Sequence, residues 1–169
     1  SDYNKFFKIA EKELPKEYYV MTYSTSNDYW DVMARVVNQK TISFETQDLE
    51  KNWNFPFSTG IDIFPMDFLP TNEGEIEVLR NLVDDVKSTA DCYGEGLFTE
   101  AELNDRLDQL EKLCNQKISR TGDIRRHLYD IVVSLYSLYQ EDESERIALM
   151  PLWLESGRHS YPKEYYAET

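Results

Sequence analysis

The sequence predicts an α+β fold, a small β-sheet packed with three to four helices. Three observations predict it. Residues 1 to 70 mix helical and strand-like apolar spacing, whereas residues 72 to 156 repeat apolar stripes at helical spacing. Between these zones, Gly60 to Phe64 is an apolar, strand-like run that stops at Pro65. A polar, aromatic tail covers residues 157 to 169. The length of 169 residues suits a single domain, or a fragment of one, and 41% hydrophobic residues are enough for a core.

Each element has a local reason. Phe6, Phe7, Ile9, Ala10 and Leu14 recur at helical spacing, and Pro15 ends the pattern. Tyr18 to Thr25 is aromatic and β-branched, as strands are. Val32, Met33, Val36 and Val37 fit a helix, but residues 33 to 37 equally suit a buried strand. Ile42 and Phe44 alternate with Ser43 and Glu45 as in a short strand, and Asn52 to Thr59 reads as an aromatic loop. In the helical zone, Ile76, Leu79, Leu82, Val83, Val86 and Ala90 form one stripe. Leu103, Leu107, Leu110 and Cys114 form a second. Ile124, Leu128, Ile131, Val132, Leu135 and Leu138 form a third. Asn72 with Glu75, and Thr99 with Glu102, have capping-box spacing. Breaks fall at Tyr93 to Gly96 and at Arg120 to Gly122, and a fourth, short helix is expected over Glu143 to Leu149.

Composition excludes several classes. The formal net charge is −14. That opposes binding to nucleic acid, which needs clustered Lys and Arg, and opposes docking on an anionic membrane surface. Two cysteines, Cys92 and Cys114, are too few for a disulfide scaffold and read as helical free thiols. His127 and His159 are the only histidines, so no zinc spacing exists. No apolar run approaches the roughly 20 residues of a transmembrane segment. With no signal peptide, the simplest expectation is a cytoplasmic protein. There is no Walker loop, GxGxxG, GxSxG or HExxH.

The stretch GIDIFPMD concentrates the chemistry. Successive strand side chains point to opposite faces, so Ile61 and Ile63 share one face and Asp62 and Phe64 the other. An aspartate there needs a cation, a hydrogen-bonding partner or water. Pro65 should end the strand, which leaves Asp67 just past the strand end, where catalytic groups collect in α/β-type folds. Asp67 is equally a turn former or a cap ahead of Thr71.

Gly60 to Pro70 (GIDIFPMDFLP) resembles the signature of the LicD family of phosphocholine-transferase-like proteins, to which fukutin-type transferases are distantly related. Asp2 to Phe6, Glu13 to Tyr19 and Arg35 to Thr41 are similar to segments that precede that signature. Tyr161 to Tyr166 is similar to a phrase that follows the family's helical region. Members of the family carry an acidic cluster just before the stretch where this chain begins, and no such cluster occurs here. The resemblance therefore implies a central portion of such a protein, inactive alone, with a nucleotidyltransferase-like fold. Its start at Ser1 fits the same expectation.

The implied activity is transfer of phosphocholine, or a related phosphorylated group, from a nucleotide-activated donor such as CDP-choline. The acceptor is a sugar hydroxyl of a cell-surface glycan, as in teichoic acid or lipopolysaccharide modification. Such transfer needs charge neutralisation and alignment, which Mg²⁺ or Mn²⁺ on carboxylates supplies. The resemblance makes Asp62 the candidate metal ligand and Asp67 the candidate catalytic carboxylate. Arg35 and Lys40 are candidates to face the donor phosphate. Tyr18, Tyr19, Tyr23, Tyr29 and Trp30 are candidates for an aromatic wall around a quaternary ammonium group. The alternative is a non-catalytic helical interaction module that retains the signature as a structural strand.

Overall fold

The computed structural model describes residues 2–26, 29–38, 60–149 and 160–164. Among the described residues the chain is α+β, with four α-helices and two small antiparallel sheets of three strands each, where one sheet was expected. It divides into two compact units, Ser1–Pro65 and Met66–Thr169. The signature is thus divided between them, because Pro65 has no N–H to carry a ladder onward.

In the first unit, helix α1 (Asp2–Glu13) ends ahead of Pro15 as expected. Strand β1 (Tyr18–Met21) pairs with β2 (Ala34–Asn38), which pairs with β3 (Gly60–Ile63), in the order β1-β2-β3. The ambiguous stretch at residues 33 to 37 is therefore mostly strand. β1 is half as long as expected. From Thr22 the chain turns instead: the Thr22 amide donates to Thr25 Oγ1 at 2.9 Å, and Thr25 Oγ1 donates to the Val20 carbonyl at 2.8 Å. Hydroxyl groups that satisfy the local backbone compete with a ladder. The expected strand at Ile42 to Phe44 and the loop Asn52 to Thr59 lie outside the described residues.

Both faces of this sheet are used. Val20 and Ala34 are buried with Phe7 and Ala10 of α1, and Leu14, Val36 and Ile63 pack against them. On the opposite face Met21, Val37 and Tyr29 are buried together, with Tyr19 and Met33 against them. Of the apolar residues counted toward α1, Phe6 and Ile9 are exposed.

In the second unit, β4 (Met66–Leu69), β5 (Arg146–Leu149) and β6 (Ser160–Pro162) form an antiparallel sheet in that order. Three helices lie between β4 and β5: α2 (Glu73–Gly94), α3 (Glu100–Cys114) and α4 (Ile124–Tyr136). Leu79, Val83, Val86 and Ala90 of α2 are buried, as are Leu107 and Leu110 of α3. Leu128, Ile131, Val132 and Leu135 of α4 complete this core. The Thr99–Glu102 capping box forms. At Asn72 the side chain accepts from the Gly74 amide at 2.8 Å, so that cap is not a box. α4 stops short of Leu138, which is exposed.

Two expectations are corrected here. Residues 143 to 149 do not form a fourth helix. A 3₁₀ turn (Glu141–Glu143) leads into β5, whose Ile147 and Ala148 are buried against neighbouring strands. Strand pairing and burial outweigh the helical propensity of so short a stretch. Asp67 does not lie past a strand end, because it is the second residue of β4. Cys92 and Cys114 are half-buried free thiols.

Gly60 fits a close approach of strands. A Cβ there would stand 2.8 Å from the Val36 carbonyl oxygen and 3.0 Å from Val37 Cγ1. Backbone on one side and a packed valine on the other leave no room to yield. Gly60→Ala is expected to destabilise the protein by about 1–3 kcal/mol. A urea midpoint unchanged from the wild type would show that β3 can move away from β2.

Candidate functional site

Antiparallel pairing sets Arg35 of β2 directly opposite Asp62 of β3. Directly opposed residues share a face, so both stand on the side of Tyr19, Met21 and Val37, away from α1. The guanidinium grips the carboxylate with two bonds: Arg35 Nε donates to Asp62 Oδ1 at 2.5 Å, and Nη2 donates to Oδ2 at 2.9 Å. The Asp62 hydrogen bond holds the guanidinium pKa above its ordinary value, against the opposing effect of burial. Tyr29 lies within the field of this pair. Burial, with the charges of Asp31 and Asp62, pushes its phenol up, and Arg35 pulls the other way.

The structure thus joins two of the sequence candidates to one another. Lys40 lies outside the described residues. Of the five aromatic candidates, Tyr19 and Tyr29 reach the face of the Arg35–Asp62 pair. Tyr29 is only 6% exposed, which makes it packing rather than an open wall. Tyr18 belongs to the opposite face by alternation and is exposed.

Asp67 has a different setting. It faces Ala148 across the β4–β5 ladder, and Leu69, two residues on, shares its side of the sheet. Ala148 and Leu69 are both fully buried. The Asp67 Oδ2 atom is buried with no hydrogen-bond partner. Burial pushes the carboxyl up from 3.8 to about 7. A carboxyl poised near neutrality can take or give a proton in the physiological range. At the end of the same strand Ser144 Oγ, itself buried, donates to the Leu69 carbonyl at 2.6 Å and ties β4 to the approach of β5.

The fit to a divalent cation is poor. Among the described residues, no three His, Cys, Asp or Glu side chains converge to hold a metal ion. Asp62 already has both oxygens on a guanidinium, and Asp67 favours its neutral form under the same burial that would exclude a hydrated ion.

Sequence reasoning missed one polar hub. Asp91 of α2 accepts from Tyr129 Oη at 3.0 Å and from Arg125 Nη2 at 3.2 Å, both on α4, with Lys87 Nζ at 3.7 Å. It anchors the α2–α4 contact. Only pairing of two helices 34 residues apart in sequence reveals it. The signal in the sequence was limited to charged residues flanking the apolar stripes.

Comparison with family models, with curated proteins and with solved structures finds no match to this chain. Among the described residues, no helix is long and apolar enough to cross a membrane.

The Asp67 carboxyl has a testable pH signature. Its folded pKa lies above the unfolded value, so the folded state binds more protons between about pH 4 and pH 7. Stability is therefore complete below that window and is lost as pH rises through it, by up to about 4 kcal/mol. Glu111 is held at about 2, its largest cause the Lys117 hydrogen bond, so its effect falls at lower pH and does not overlap. Melting temperature should fall from pH 5 to pH 8, and Asp67→Asn should flatten that slope and stabilise the protein at pH 8. An unchanged slope in the variant would assign the titration elsewhere.

Proposed function

We propose that this chain belongs to a LicD-like transferase. The enzyme moves phosphocholine, or a related phosphorylated group, from a nucleotide-activated donor such as CDP-choline to a sugar hydroxyl of a cell-surface glycan. The observation that carries this reading is Asp67, a carboxyl inside the signature stretch with a buried, unpartnered oxygen and a pKa pushed to about 7. In the transfer, the acceptor oxygen attacks phosphorus and the phosphorus–oxygen bond to the leaving nucleotide breaks. The hydroxyl proton passes to ionised Asp67. Arg35 offers a fixed positive charge of the kind that phosphate oxygens require. A cytoplasmic location suits a nucleotide-activated donor.

The described residues do not build the divalent-cation site that the family resemblance implies, so no step here runs through a metal. One observation favours the rival reading of an interaction module. Asp62 is already satisfied by Arg35, while Ile61 beside it is 70% exposed on a strand that forms an edge of its described sheet.

Calorimetric titration of CDP-choline, with and without Mg²⁺ or Mn²⁺, separates the two. Arg35→Gln is expected to weaken donor binding about tenfold, as loss of one charge-assisted contact does. Asp67→Asn should leave donor affinity unchanged and lower turnover by at least about 10²-fold in the protein that performs transfer. No donor heat in the wild type, with or without the metal, would sink the transferase reading and favour the module.

A further inference from the structure

Helix α3 is joined to its neighbours differently from α2 and α4. Those two share an extensive contact, tied by Asp91 to Arg125 and Tyr129. The contact of α3 with α2 is much smaller. α3 buries two of its 15 residues, Leu107 and Leu110, whereas α4 buries seven of its 13. Among the described residues, the side-chain bonds from α3 to another helix come from Arg106. Its Nη2 donates to Asp85 Oδ1 at 2.7 Å, and its Nε donates to Thr89 Oγ1 at 3.1 Å, both on α2.

Within itself the segment is firmly bound. Thr99 and Glu102 cap its start. At its end, Glu111 accepts from Lys117 Nζ and from the Ile118 amide, each at 2.9 Å. The Arg120 guanidinium reaches back to Glu111 and Asp108. These charge-assisted bonds fasten the turn after α3 onto the helix, so residues 99–120 make one body. Just beyond each end stands a glycine in the left-handed region, Gly96 with φ 69° and Gly122 with φ 79°. A Cβ at either would meet nothing within 4 Å, so backbone conformation and not packing calls for glycine there. Both points have open space around them.

We propose that residues 99–120 form a strap that opens from α2 as one body, turning on Gly96 and Gly122, with Arg106 as its catch. Opening frees Leu107, Leu110 and the buried Ile118, and uncovers Thr89 on α2. The α2–α4 contact stays closed, because local opening begins where the fewest apolar side chains are buried.

The test is native-state hydrogen exchange of the whole chain, resolved by residue with nuclear magnetic resonance. In the wild type, the Leu107 and Leu110 amides should exchange at least about 100-fold faster than those of Leu128 and Val132. Their rates should also rise less steeply with urea, because less surface is exposed. The Ile118 amide should follow α3. Asp91→Asn should speed α4 and leave α3 unchanged, because the Asp91 bonds survive when the strap opens. Arg106→Gln should speed α3 and α4 alike, about tenfold, because its bonds are lost in both the local and the global opening. Equal protection and equal urea slopes for α3 and α4 in the wild type would overturn the proposal, and this arm needs no variant to fold. Equal acceleration of both helices by Asp91→Asn would overturn it too, since α3 would then open only with the whole unit. Exchange of α3 unchanged in Arg106→Gln would refute the catch, and Ile118 exchanging far ahead of Leu107 would refute the single body.

Discussion

Pro65 has no amide hydrogen, and the arrangement of the signature follows from that lack. A ladder cannot pass through it, so Gly60–Ile63 closes the sheet begun by β1 and β2, while Met66–Leu69 opens a second sheet with β5 and β6. Two aspartates five positions apart in sequence thereby enter different sheets. Asp62 acquires a guanidinium directly opposite. Asp67 acquires an alanine opposite and a buried leucine on its flank.

Those surroundings separate the chemistry of two otherwise identical side chains. The Asp62 carboxylate has a guanidinium on both of its oxygens, two charge-assisted hydrogen bonds that fix its orientation. A carboxyl with a buried, unpartnered oxygen loses its hydration with no replacement, and the neutral form gains. The scarcity of cations sharpens the contrast. With 32 acidic residues against 18 basic ones, most carboxylates must rely on solvent. Arginines at positions 35, 106, 120 and 125 each engage an aspartate.

What the sequence made legible was whatever depends on local spacing. The stripes of α2, α3 and α4, the Thr99 cap and the stop at Pro65 all follow from neighbours within a few residues. What it hid depends on partners far along the chain. Arg146–Leu149 reads as the end of a helical zone, and it becomes a strand because Met66–Leu69 lies beside it. Asp67 reads as a residue after a strand, and β5 makes it a residue within one. The division at Pro65 was visible as a strand end, whereas the second sheet beyond it had no local signature. For the candidate site, the residue types were legible and their pairing was not. Alternation assigns Asp62 to a face, but it does not say that Arg35, 27 positions away, will stand across from it.

Register is the level at which that pairing is decided, and three features favour the observed one. A slip of one residue between β2 and β3 would carry Asp62 to the face of Phe7 and Ala10, where a carboxylate would meet an apolar core without a cation. The same slip would lift Ile63 out of that core. Gly60 adds a steric restraint, since its bare Cα is what lets β3 lie against the Val36 carbonyl. Burial of Ile63, the close approach at Gly60 and the Arg35–Asp62 bonds therefore all select one alignment. An ion pair this exposed contributes about 1 kcal/mol or less by itself. Its placement is the consequence of the hydrophobic register more than its cause. The strand alignment therefore does not depend on the ion pair alone.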